Sequence, residues 1–139
     1  MKNLFAATGL VLAAALALPA AADTSVVYGS TSAVHTLAPY AGLIEAKGDV
    51  VLTPSALGTG QLVLDVIDGK AAAAAIAMPL PQAVAAAREA AWFEGRMILI
   101  PDSLRFQEVA GLSSDGVPVG FVMVDAAPAG LQKVLAELR

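Results

Sequence analysis

Thr53–Leu80, TPSALGTGQLVLDVIDGKAAAAAIAMPL, sets a Gly-Thr-Gly turn, an apolar periodic run and a five-alanine tract in succession. Leu62, Val63, Val66 and Ile67 fall on one helical face, which Asp68-Gly69 stops. The alanine tract that follows is ambiguous by itself, because alanine favours helix. Pro79 and Pro81 bar a helix from running on through this point. Context therefore makes Ala71–Met78 a strand, nearly stripped of side chains, over which helices can pack closely.

The same alternation extends in both directions. Upstream, Ser25–Tyr28 is a β-prone run ending at Gly29, and Asp49–Thr53 is a second strand. Between them Ser30-Thr31-Ser32 precedes Val34, Leu37, Ala38, Ala41 and Ile44, a helical face opened by a hydroxyl cap and closed by Gly48. Pro39 interrupts that face and belongs either in the helix's first turns or at its true start. Downstream, Gln82–Phe93 reads as an alanine-rich helix closed by Gly95, with Trp92 and Phe93 expected in the core. Met97–Ile100 reads as a fourth strand before Pro101-Asp102. Two further β-prone runs flank Ser113-Ser114-Asp115-Gly116, a hairpin signal, and Ala129–Leu138 forms a last helix after Pro128. Strands and helices in alternation imply an α/β domain, its sheet mostly parallel and its helices on both faces.

Composition limits the rest. The chain has 139 residues, enough for one ordinary domain. Mean hydropathy is +0.73, but much of that comes from the first residues. Met1–Ala22 carries Lys2, an apolar run from Leu4 to Leu18, Pro19, and Ala20-Ala21-Ala22 before Asp23. That is the order of a cleaved secretory signal, too short to span a bilayer, so residues 1–22 are expected to be removed. Residues 23–139 then form a single exported domain, periplasmic and not inserted in the membrane. With 0 cysteines, neither disulfides nor thiolate metal sites are available. The formal charge of −4 falls by one more when Lys2 leaves, which disfavours nucleic acid and anionic lipid as partners.

Two strand-to-helix junctions can carry chemistry: Gly29–Ser32, and Ser55–Gly60 with Gly58, Thr59 and Gly60. In parallel α/β sheets such junctions sit at the carboxyl ends of the strands, where ligands bind. A helix start offers free N–H groups and a partial positive charge, and small hydroxyl residues add donors without blocking access. Two such junctions facing one crevice can hold a tetrahedral anion without lysine or arginine. Taken singly, each is more often a plain helix cap. His35, the 1 histidine, has no ligand cluster around it and reads as a surface or capping residue. Arg88, Arg96 and Arg105 have the charge to reach an anion. No nucleophile elbow, phosphate loop or paired carboxylates appear, so neither an enzyme, a metal site nor a cofactor is expected.

Val26–Leu80 resembles the opening lobe of type II periplasmic substrate-binding proteins, and is most similar to the phosphate-binding family of ABC transporters. The shared pattern is a strand leading to a Gly-Ser/Thr cluster, a second strand leading to a Ser-Gly-rich turn, and an Asp-Gly followed by a small-residue strand ending in Pro-Leu. The resemblance implies one α/β lobe of such a protein. It also implies that Ser30, Thr31, Ser32, Ser55, Thr59 and Gly60 donate to a small oxyanion, phosphate first, with Gly58 allowing close approach. Where relatives may carry acidic groups, this chain has Ala72 and Ala77. The family's second lobe has no counterpart, and Asp115–Leu138 resembles its crossover strand and following helix. The implied partners are an ABC permease, or a second chain that completes the site. The alternative is a degenerate member of the fold that serves as an interaction or sensing module without transport.

Overall fold

In the computed structural model residues 25–138 are described, and the expected leader lies outside them. The chain runs β1 (Ser25–Gly29), α1 (Thr31–Gly48), β2 (Val50–Pro54), α2 (Thr59–Ile67), β3 (Ala73–Ile76) and α3 (Leu80–Phe93). It continues through β4 (Arg105–Ser114), β5 (Val117–Met123) and α4 (Ala129–Glu137). The strands form one five-stranded sheet in the order β2-β1-β3-β5-β4. Parallel pairs join β1 to β2 and to β3, whereas β5 lies antiparallel between β3 and β4. Four strands therefore point one way and only β5 opposes them. The α/β class read from the sequence is the class observed.

The alanine tract sits at the centre of this sheet. β3 is fully buried, though shorter than Ala71–Met78. Strand alternation sends Ala73 and Ala75 to one face and Ala74 and Ile76 to the other. Over the first face pack Leu37 and Ile44 of α1 with Leu131 and Leu135 of α4. Over the second pack Leu62, Val63 and Val66 of α2 with Ala83, Ala87 and Ala91 of α3. The alanines of α3 recur every fourth residue, a stripe of methyl groups that lets the helix lie close. A Cβ added at Gly60 would stand 2.5 Å from the Ala86 carbonyl oxygen, so glycine is required for the approach of α2 to α3.

Three expectations are corrected. Met97–Ile100 forms no strand and pairs with none in the sheet. Ile98 and Ile100 pack on the apolar cluster that α2 and α3 form with this face of the sheet, without joining a strand. Trp92 and Phe93 are 69% and 82% exposed, not core, because they fall off the Ala83-Ala87-Ala91 stripe in the last turn of α3. Pro39 lies in the third turn of α1, deeper than either sequence expectation, on its solvent face. There it removes the N–H that would pair with the His35 carbonyl. Pro39→Ala should therefore raise stability by roughly 1–3 kcal/mol. The unfolding midpoint in urea checks this, and an unchanged or lower midpoint would refute it.

The outer edge of the sheet is guarded at β2. The Ser55 N–H donates inward to the Gly29 carbonyl at 2.8 Å, so alternation turns the Leu52 N–H outward. The Glu45 carboxylate accepts that bond at 2.7 Å, and Pro54 has no N–H to present on the same side. At the other edge, β4 is broken by register shifts between Glu108 and Ser113, with Ala110 and Gly111 at positive φ. The expected hairpin is present. Asp115 and Gly116 at φ 52° and 80° form the two-residue turn whose twist matches its strands.

Candidate oxyanion site at two helix starts

Both junctions come together at one edge of the sheet. Gly29 pairs with Pro54 in parallel register, so α1 and α2 begin on neighbouring strands. Two backbone bonds stitch the strand ends: Ser30 N–H to the Ala75 carbonyl at 3.0 Å, and Ser55 N–H to the Gly29 carbonyl at 2.8 Å. These bonds limit what Ser30 and Ser55 can offer. Their N–H groups are spent inside the fold, which leaves only the hydroxyl protons as donors.

The hydroxyl oxygens have local work as well. Ser30 caps α1 by accepting from the Ala33 N–H at 3.3 Å, and Ser55 accepts from the Leu57 N–H at 3.1 Å. The capping role is therefore real at the first junction. A hydroxyl that accepts still has a proton to donate, so capping and binding are compatible. At the second junction Gly58 is the residue before α2 and makes no side-chain cap, and Leu62 donates to its carbonyl at 3.1 Å.

The free donors follow from this accounting. Thr31 and Ser32 in the first turn of α1, and Thr59 and Gly60 in that of α2, have no backbone acceptor for their N–H groups among the described residues. The N–H of Gln61 is in the same position, a donor the sequence pattern did not single out; only its side chain is engaged, with Asp65 at 3.0 Å. Ser30, Ser55, Thr59 and Gly60 are half-buried, while Thr31, Ser32 and Gly58 are exposed. Gly58 has φ −70° and open space where a Cβ would go, so its glycine is not demanded by the fold.

Electrostatics at this edge comes from the backbone. No lysine or arginine occurs in residues 25–46 or 48–69. Of the arginines proposed to reach an anion, Arg96 binds Asp68 and Glu94 beyond the far end of α2. Arg105 binds Asp125 at 3.0 Å and Gln132 at 2.6 Å where β4 begins, again at the opposite end of the sheet. Arg88 is exposed midway along α3 and His35 is exposed on α1. The two alanines also separate. Ala77 follows β3 at the carboxyl edge, whereas Ala72 precedes the strand at its other end, so only Ala77 bears on this site. Asp115, at the tip of the hairpin that rises from the same edge, carries the wrong sign for an anion.

The site is open. Three surface concavities of 320, 240 and 130 Å³ are lined by Phe106–Gly111, by the Lys47–Glu137 region and by Arg88–Ile98, none of them at the junctions. Among the described residues no three His, Asp or Glu side chains gather as a metal site. No helix among them is long and apolar enough to cross a membrane.

Comparison with family models, curated proteins and solved structures gives no match to this chain. Any functional reading rests on the geometry above and on the sequence motifs.

Proposed function

We propose that the domain is an exported, single-lobe relative of the phosphate-type solute-binding proteins. It holds a small oxyanion at the shared edge of β1 and β2. The observation that supports this reading most is the parallel pairing of Gly29 with Pro54, which sets the free N–H groups of two helix starts side by side. Thr31, Ser32, Thr59 and Gly60 donate through the backbone, and Ser30, Ser55 and the neighbouring hydroxyls donate through side chains. Phosphate is the first candidate, with sulfate and molybdate sharing its shape. Exposed hydrogen bonds exchange with water and gain little net energy, so binding by this lobe alone is weak. Uptake would need an ABC permease, or a second chain to close over the ligand. The exposure of the edge equally favours the rival reading, an interaction module that kept the fold and lost the ligand.

Gly58→Glu separates the two. The site accommodates a side chain, and a carboxylate before α2 favours its helix dipole while repelling an anion. Titration calorimetry should show heat with phosphate, sulfate or molybdate for the native protein and none for Gly58→Glu, whose thermal midpoint is equal or higher. No heat from the native protein with any of the three at millimolar ligand overturns the oxyanion reading.

A further inference from the structure

The end of the sheet away from the candidate site carries an apolar surface that the domain leaves uncovered. Trp92 and Met97 border one 130 Å³ concavity with Arg88, Arg96 and Ile98. Met97 and Leu99 are 90% and 92% exposed, so even their backbone is open to solvent. Ile98 and Ile100 point the other way and anchor the segment on the α2–α3 cluster. Its start is clamped, because the Arg96 guanidinium bridges both oxygens of Asp68 at 3.3 and 2.8 Å and also reaches Glu94. The same bonds hold the Asp68 carboxyl below its ordinary pKa.

This segment alternates between exposed and half-buried residues, as a strand does, but belongs to no strand. Among the described residues the N–H groups of Met97, Ile98, Leu99 and Ile100 donate to no backbone or side-chain acceptor. By contrast, the β2 edge is guarded by Glu45 and Pro54, and the β4 edge is bent by its bulge. An exposed apolar strand with free backbone groups is a template for pairing.

We infer that the protein forms a symmetric dimer in which Met97–Ile100 pairs antiparallel with the same segment of a second copy, covered by Trp92. Three observations favour a second copy. Antiparallel pairing of the segment with its own copy engages the same edge of both chains and closes about a two-fold axis, so no further copy is recruited. Trp92, Met97 and Leu99 together expose roughly 500 Å², a large part of the ~800 Å² per partner of a standard interface. Charges near the patch in sequence are mixed, with Arg88 set against Glu89 and Asp102 while Arg96 is already paired with Asp68 and Glu94, which suits a copy of itself and gives anionic lipid or nucleic acid no attraction. The dimer leaves both candidate oxyanion edges facing away from the interface, so it stands or falls independently of the ligand.

Sedimentation equilibrium of the purified protein, followed with the emission of Trp92, tests this directly because the chain has 1 tryptophan. The mass should rise from monomer to dimer with concentration while the emission moves to the blue. Leu99→Pro removes a donor that the monomer does not use. It should weaken dimerisation at least about tenfold without changing the far-ultraviolet circular dichroism. The pair Met97→Lys and Leu99→Lys, which touches no buried side chain, should do the same if the proline disturbs folding. A monomer at every concentration overturns the inference, as does a dimer that survives these variants. A monomer whose Trp92 emission is already blue-shifted also overturns it.

Discussion

Replacing Gly120 with alanine should cost about 3 kcal/mol or more, a large share of the ~5–15 kcal/mol that holds an ordinary domain folded. Gly120 lies in β5, opposite Ile76 of β3 on one side and Glu108 of β4 on the other. A Cβ there would overlap the Gln107 carbonyl oxygen and stand 2.9 Å from the Glu108 Cα. Both obstacles are backbone, so no rotamer change relieves the overlap. Either β5 must leave the sheet locally or β4 must shift its register beside the bulge. β5 joins the alanine strand to the edge strand, so the cost reaches both. Urea unfolding monitored by circular dichroism measures it, and a change within about 0.5 kcal/mol of the native protein would refute the argument.

Ala75→Leu is expected to cost about 2–3 kcal/mol, towards the upper end for an overpacked core. Ala75 is fully buried beside Gly29, its partner in the β1–β3 pairing, and a Cβ on Gly29 would already approach the Ala75 Cβ to 2.8 Å. The extra carbons must enter the face where α1 packs through Ala33 and Leu37. The interior has little free volume to absorb them. Ala85→Leu, on the exposed face of α3, is the control and should stay within about 0.5 kcal/mol. Equal unfolding midpoints for the two variants would mean that the alanine strand does not set the helix spacing.

These two residues show where sequence reading stops. The alanine tract identifies a strand because Pro79 and Pro81 close the helical alternative, and that reading holds. The strand is shorter than the tract, because alanine carries no signal for where pairing ends. Nothing around Gly120 in the sequence marks it as the point where two backbones meet. That contact depends on β5 slotting between β3 and β4, a pairing between segments distant along the chain. Met97–Ile100 shows the converse. Its β-branched, apolar pattern is that of a strand, but whether a strand finds a neighbour depends on which sheet edge lies within reach. Trp92 and Phe93 lie at the surface for a related reason. Hydrophobicity marked them as core, but the alanine stripe fixes which side of α3 faces the sheet, and they lie off it.

For the candidate site, residue types and spacing were legible: hydroxyls and glycines at two strand-to-helix junctions. What the sequence left hidden was their hydrogen-bond accounting. Ser30 and Ser55 use their N–H groups to tie strand ends together, and Gly60 is glycine because α3 passes over it. Sequence alone determined the local elements, since helix caps, prolines and apolar periods act between near neighbours. Tertiary structure decided strand order, which donors stay free, and which apolar residues find no cover. Those depend on distant segments competing for the same space and the same hydrogen bonds.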